Sequence, residues 1–200
     1  MTVVKILLLG PLVVWLCLAS AIPAIAAETD VSPDLRALCE SCHSARGNSA
    51  KRDVPRLNGQ QSAYLMLRLE ELGDPSRNTP HAAPMMKFGA LSDGDAAALA
   101  RYFSSQPPTR PNGFRLQAEA GEALFRKGGE WNVPACAACH GMSGEGYRTM
   151  PRLAGQHETY LRQQLQAFRS GARASTEMNR HAWDLTQQQI LDLMAYLANN

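Results

Sequence analysis

The 200-residue sequence predicts an all-α fold built from two tandem helical domains. Three observations lead there. A five-residue cysteine motif occurs twice, the sequence repeats with a period of about 96, and no segment alternates apolar and polar residues as a half-buried strand would.

The repeat is read residue by residue. Pro55-Arg56-Leu57-Asn58-Gly59-Gln60 recurs as Pro151-Arg152-Leu153-Ala154-Gly155-Gln156, and Tyr64-Leu65 as Tyr160-Leu161. Leu69 recurs as Leu165, Leu91-Ser92 as Leu185-Thr186, and Leu99 and Tyr102 as Leu193 and Tyr196. Matches that keep their order and offset over such a distance indicate a duplicated domain. Between the copies, Gln106–Gly113 holds Pro107, Pro108, Pro111 and a Gly, which interrupt any helix and mark a linker. The expected division is 27–106 for the first domain, 107–115 for the linker and 116–200 for the second domain. Domains of this size have marginal cores unless a prosthetic group or disulfide completes them.

The helices follow from their start signals and apolar spacing. Ser32-Pro33-Asp34 pairs an N-cap residue with Pro at the first helical position, leading into Leu35, Leu38 and the first cysteine motif. Gln60–Leu72 places Tyr64, Leu65, Leu69 and Leu72 at helical spacing. Ser92-x-x-Asp95 and Thr186-x-x-Gln189 resemble capping boxes, and Ile190, Leu193, Met194 and Leu197 then form one apolar face. Leu116–Arg126 predicts a further helix with only a shortened counterpart in the first copy.

At the N-terminus, Lys5 precedes an apolar stretch from Ile6 to Leu18, and Ala24-Ile25-Ala26 is a small-x-small cleavage pattern. Residues 1–26 are therefore expected to be a cleaved signal peptide directing export to the periplasm. An uncleaved N-terminal anchor is the alternative. Cys17 follows Leu16 rather than a small residue, which argues against lipid attachment. The formal net charge of +2 is spread over both halves. Such a distribution excludes the concentrated basic face of a nucleic-acid-binding protein.

The cysteine motifs are Cys39-Glu40-Ser41-Cys42-His43 and Cys136-Ala137-Ala138-Cys139-His140. Cys-x-x-Cys-His is the attachment signature of a c-type haem. Its thiols, Cys39, Cys42, Cys136 and Cys139, form thioethers to the porphyrin, and His43 and His140 become axial iron ligands. Two covalent haem c groups are expected. A thioredoxin-like disulfide wants a strand–helix setting that is missing here, and a zinc site would leave both histidines without a role.

A Met sulfur as sixth ligand closes the iron for electron transfer, whereas an open position permits catalysis. Met178, in the polar loop Ala174–Arg180, has a counterpart in Met85 of the first copy, with Met86 the alternative. His81 and His181 are the competing ligands. Met66 and Met194 are assigned to the core, Met150 to packing beside the proximal side, and Met142 lies too close to its motif to cross the ring. Pro55 and Pro151 follow the haem histidines closely enough for their carbonyls to accept the Nδ1 proton. Arg56 and Arg152 are candidates for haem propionates or for solvated surface, and Tyr64 and Tyr160 for the pocket wall or the core. His157, matching Gln61, is expected on the surface of its helix.

Together these residues resemble the dihaem cytochrome c₄ family, built from two class I cytochrome c domains. The likeness rests on Leu124-Phe125-Arg126-Lys127-Gly128-Gly129, on Val133 through Gly141, and on Pro-Arg-Leu-x-Gly-Gln in both halves. It implies His/Met-ligated irons near a domain interface. It also implies electron shuttling among redox proteins, with the bc₁ complex a typical donor and a terminal oxidase a typical acceptor. Membrane contact is then expected only through partners or an uncleaved N-terminus. The alternative is the haem subunit of a larger dehydrogenase, as in sulfide-oxidising flavocytochrome c. A small dihaem oxidoreductase with one open iron ranks third, because both Met segments argue against it. The chain itself shows no catalytic constellation, so it reads as a carrier rather than an enzyme.

Overall fold

A computed structural model describes residues 30–72, 83–88, 91–110, 118–130 and 133–198. Among them the chain is helical, and the only extended pairing is an isolated Tyr147–Met150 bridge. The expected signal segment, His81 and linker residues 111–115 lie outside the described residues.

Helix α1 spans Pro33–His43. The Ser32 hydroxyl accepts from the Leu35 amide at 3.2 Å, and Pro33 starts the first turn. Cys39, Cys42 and His43 stand at i, i+3 and i+4, so the helix brings all three to one face. The helix stops at Ser44, which adopts φ 62°, ψ 170°. A 3₁₀ turn at Ala45–Gly47 follows. Helix α2, Ser62–Glu71, and α3, Asp93–Ser104, complete the first half, with a second 3₁₀ turn at Ala83–Phe88 between them. Their core contains Val31, Leu65, Leu99, Ala100 and Phe103. Ser92 caps α3 by accepting from the Asp95 amide at 3.1 Å.

The second half repeats this plan with one more helix before its motif. Helix α4 is Glu119–Lys127, α5 Ala137–His140, α6 Glu158–Arg169, α7 Thr176–Trp183 and α8 Gln187–Leu197. Phe125, Ile190, Leu193 and Met194 are its most deeply buried large side chains. Helices α4 and α8 cross closely at Gly121, where a Cβ would fall on the Asp192 carbonyl. The capping box at α8 is complete: Thr186 Oγ1 accepts from the Gln189 amide, and Gln189 Oε1 accepts from the Thr186 amide.

One expectation needs correction. Ala174–Arg180 is not a loop, because most of it is α7. Ser175 Oγ accepts from the Met178 amide at 3.3 Å, while Asn179 Oδ1 accepts from the Ser175 amide at 2.6 Å. This exchange of caps starts a helix in a segment whose polar composition reads as a loop.

The linker is pinned from both sides. Asn58 Nδ2 donates to the Pro107 carbonyl at 2.8 Å and to Thr109 Oγ1 at 3.0 Å. A Cβ at Gly59 would meet Pro108, and one at Gly155 would meet the Thr109 carbonyl. Both glycines have positive φ, so the repeated x-Gly-Gln turns let the linker pass directly over them.

Ser44 and Gly141 occupy the same turn after the two motif histidines, with φ 62° and 82°. Only the second is glycine, and Ser44 sits in a region nearly confined to glycine. Ser44→Gly is expected to stabilise the first domain by about 1 kcal/mol. A denaturant titration of the holoprotein checks this, with the midpoint moving upward.

Candidate functional site

Each cysteine motif ends in a buried imidazole held at a fixed angle. His43 Nδ1 donates to the Pro55 carbonyl at 2.9 Å, and His140 Nδ1 donates to the Pro151 carbonyl at 2.9 Å. The two residues are only 4% and 6% exposed. Burial pushes both pKa values below the ordinary histidine range, against the opposing pull of the proline carbonyls. The neutral ring that results has its Nδ1 proton committed and leaves the Nε2 lone pair free. That is the ligand form a haem iron requires.

The thiols do not look like a redox pair. Burial pushes Cys136 up to about 11, and burial together with Glu40 and Cys42 raises Cys39. A reactive Cys-x-x-Cys works instead through a depressed thiol pKa. The four motif cysteines are free of disulfides, and Cys42 and Cys139 are exposed. Among the described residues no three His, Cys, Asp or Glu side chains are grouped so that they could hold a metal ion.

The candidate sixth ligands sit on different elements. Met178 lies in the first turn of α7, partly buried against the second core. Met85 lies half-buried in the 3₁₀ turn at Ala83–Phe88, and the Met86 side chain is outside the described residues. His181 is half-buried one turn after Met178. Met66 packs on the first core and Met194 is 1% exposed, whereas Met150 and Met142 are exposed. Met178 is positioned largely by Asn179, whose Nδ2 donates to the Arg173 carbonyl at 2.9 Å and to that of Phe168.

The remaining candidates converge on the contact between the domains. Arg56 Nη1 donates to the Gly155 carbonyl at 2.6 Å, while Arg152 Nε donates to the Ala154 carbonyl at 3.2 Å. Neither arginine is simply solvated surface. Tyr64 accepts from Arg173 Nη2 at 3.3 Å, and burial together with Tyr64 raises the pKa of Tyr160 above the tyrosine range. His157 also departs from expectation. It precedes α6, and its Nε2 donates across the domains to the Ser49 carbonyl at 2.8 Å. Arg173 is 7% exposed, and its Nε and that of Arg56 are buried without a hydrogen-bond partner. Guanidinium groups in that condition fit an anionic propionate. Imidazoles with free Nε2 atoms, paired thiols and unfilled guanidinium donors together suit a covalently attached haem in each half.

Gln60 and Gln156 form the centre of this contact. Gln60 Oε1 accepts from the Arg152 amide at 2.7 Å, and its Nε2 donates to the Arg152 carbonyl at 2.9 Å. Gln156 does the same to Arg56, at 2.9 Å each way. Sequence reasoning noticed both glutamines as repeat markers but missed this role, as it missed those of Asn179 and Arg173. The signal available was the recurrence of a Gln at the end of the same turn in both copies.

The cytochrome c family profile matches residues 118–200. Cytochrome c4 of Azotobacter vinelandii is 39% identical over 150 residues, covering 70% of this chain and 71% of that protein. The chain belongs to the cytochrome c4 family. A solved cytochrome c4 structure from Acidithiobacillus ferrooxidans has a TM-score of 0.75 and 38% identity, covering 81% of this chain and 98% of that one. The thiosulfate dehydrogenase electron acceptor of Thiomonas intermedia is 33% identical over 160 residues, covering 76% of this chain and 71% of that protein. As a member of the cytochrome c4 family, the chain is a dihaem electron carrier with two covalently bound haem c groups, and it exchanges electrons with redox proteins.

Asn179→Ala removes the two Nδ2 donations that tie α7 to the Phe168 carbonyl of α6 and to the Arg173 carbonyl after it. It is expected to cost about 1–3 kcal/mol. A denaturant titration of the holoprotein checks this, with the midpoint moving downward.

Proposed function

We propose that this cytochrome works in the periplasm after removal of residues 1–26, carrying electrons between respiratory complexes. Each iron is six-coordinate, His43 and Met85 serving the first haem and His140 and Met178 the second. Cys39, Cys42, Cys136 and Cys139 hold the porphyrins by thioether bonds. The domains divide at 107–115, and Arg56, Arg152, Tyr64 and Tyr160 border the haem edges at their contact. Bound haem supplies a reversible one-electron couple. The chain's own part is to hold two neutral imidazoles rigidly, exclude water from their Nδ1 atoms and keep the sulfur ligands in place.

The observation that carries this reading is the repeated hydrogen bond from a buried motif histidine to a proline carbonyl. It supports an electron-transfer iron in each half, because the two imidazoles are held in the same way. Among the described residues no helix is long and apolar enough to cross a membrane. Partners of the bc₁ and terminal oxidase type suit such a carrier. A dehydrogenase as electron donor is the second reading, favoured by the similarity to a thiosulfate dehydrogenase electron acceptor. Co-purification with a dehydrogenase would support it.

A visible spectrum of the dithionite-reduced holoprotein, before and after carbon monoxide, tests the proposal. The expected spectrum is unchanged, because strong ligands occupy both irons. Rapid binding to about half the haem would contradict it.

A further inference from the structure

We propose that Gln156 and Gln60 are positioning residues that tune the axial imidazole of the opposite domain, each through a single peptide group. The inference rests on His43 and His140 being iron ligands, as proposed above. The peptide joining Pro55 to Arg56 has two partners. Its carbonyl accepts from His43 Nδ1 at 2.9 Å, and its N–H donates to Gln156 Oε1 at 2.9 Å. The peptide joining Pro151 to Arg152 is engaged in the same way, by His140 at 2.9 Å and by Gln60 at 2.7 Å. In each case the histidine and the glutamine belong to different domains.

Amide resonance couples the two ends of a peptide. Donation from the N–H shifts electron density toward the carbonyl oxygen and makes it a stronger acceptor. A stronger acceptor draws the Nδ1 proton and gives the imidazole more imidazolate character. Such a ring is the better ligand for ferric iron and lowers the reduction potential. Both glutamines are buried, at 7% and 8% exposure, where a hydrogen bond is less weakened by water. Each Oε1 also accepts from the next backbone N–H, that of Gln61 or His157, and each Nε2 donates to the Arg152 or Arg56 carbonyl, which holds the amide in register. The haem of each domain thus carries part of its tuning in the other domain.

The test uses holoprotein variants Gln156→Leu and Gln60→Leu. In Gln156→Leu the first-domain haem should become easier to reduce, its ferrous-to-ferric ratio at fixed potential rising roughly two- to tenfold. The second haem should move less, and Gln60→Leu should give the mirror result. NMR of the reduced protein should show the His43 Nδ1 proton moving upfield in Gln156→Leu while that of His140 holds. Gln156→Glu keeps an acceptor for the Arg56 amide, so there the His43 proton should not move upfield. Equal shifts of both haems, or a fall in potential, would overturn the proposal, since water entering an opened interface favours ferric iron. Unmoved potentials would overturn it as well. If the unsubstituted protein shows no iron-bound His43 ring, the ligand assignment itself fails, which separates the two outcomes.

Discussion

An imidazole that must offer one nitrogen to iron has to commit the other, and it must do so without water if the geometry is to stay fixed. In both halves of this chain the proline carbonyl at the start of the Pro-Arg-Leu-x-Gly-Gln turn accepts the hydrogen bond from Nδ1. Much else follows from the requirement. The motif ends its helix so that the chain can turn back, at Ser44 in one half and Gly141 in the other. The returning segment must lie beside the imidazole, and the peptide that follows the proline then faces the other domain. The site and the interface are consequently built from the same residues.

That shared use gives the interface its approximate two-fold character. Gln60 and Gln156 exchange equivalent hydrogen bonds with Arg152 and Arg56, and the linker crosses over the two turn glycines. The symmetry is broken around α6 and α7. Arg173 reaches Tyr64 across the contact, and His157 reaches the Ser49 carbonyl. The two halves of this duplicated scaffold therefore have related but unequal surroundings around their motifs.

The sequence made the covalent chemistry legible, because thioether attachment demands two thiols and an imidazole at fixed spacing. It also made most helices legible: Ser32, Ser92 and Thr186 all cap where their spacing indicates. Helix α7 was obscured, since its short span and polar residues match a loop until Ser175 and Asn179 exchange caps. The interface was harder still. Arg56 and Gln156 are 100 residues apart, as distant from one another as the domains themselves, and no local periodicity reports such a pair. The same separation hid His157, whose partner Ser49 lies in the other half.

The most direct test of the account is NMR of the reduced holoprotein carrying isotope-labelled methionine methyl groups. A methyl held over a haem face is shifted far upfield by the ring current. Two such methyls are expected, one lost in Met178→Ala and the other in Met85→Ala. A single shifted methyl, or two that persist in these variants, would contradict paired His/Met irons in a duplicated electron-transfer scaffold.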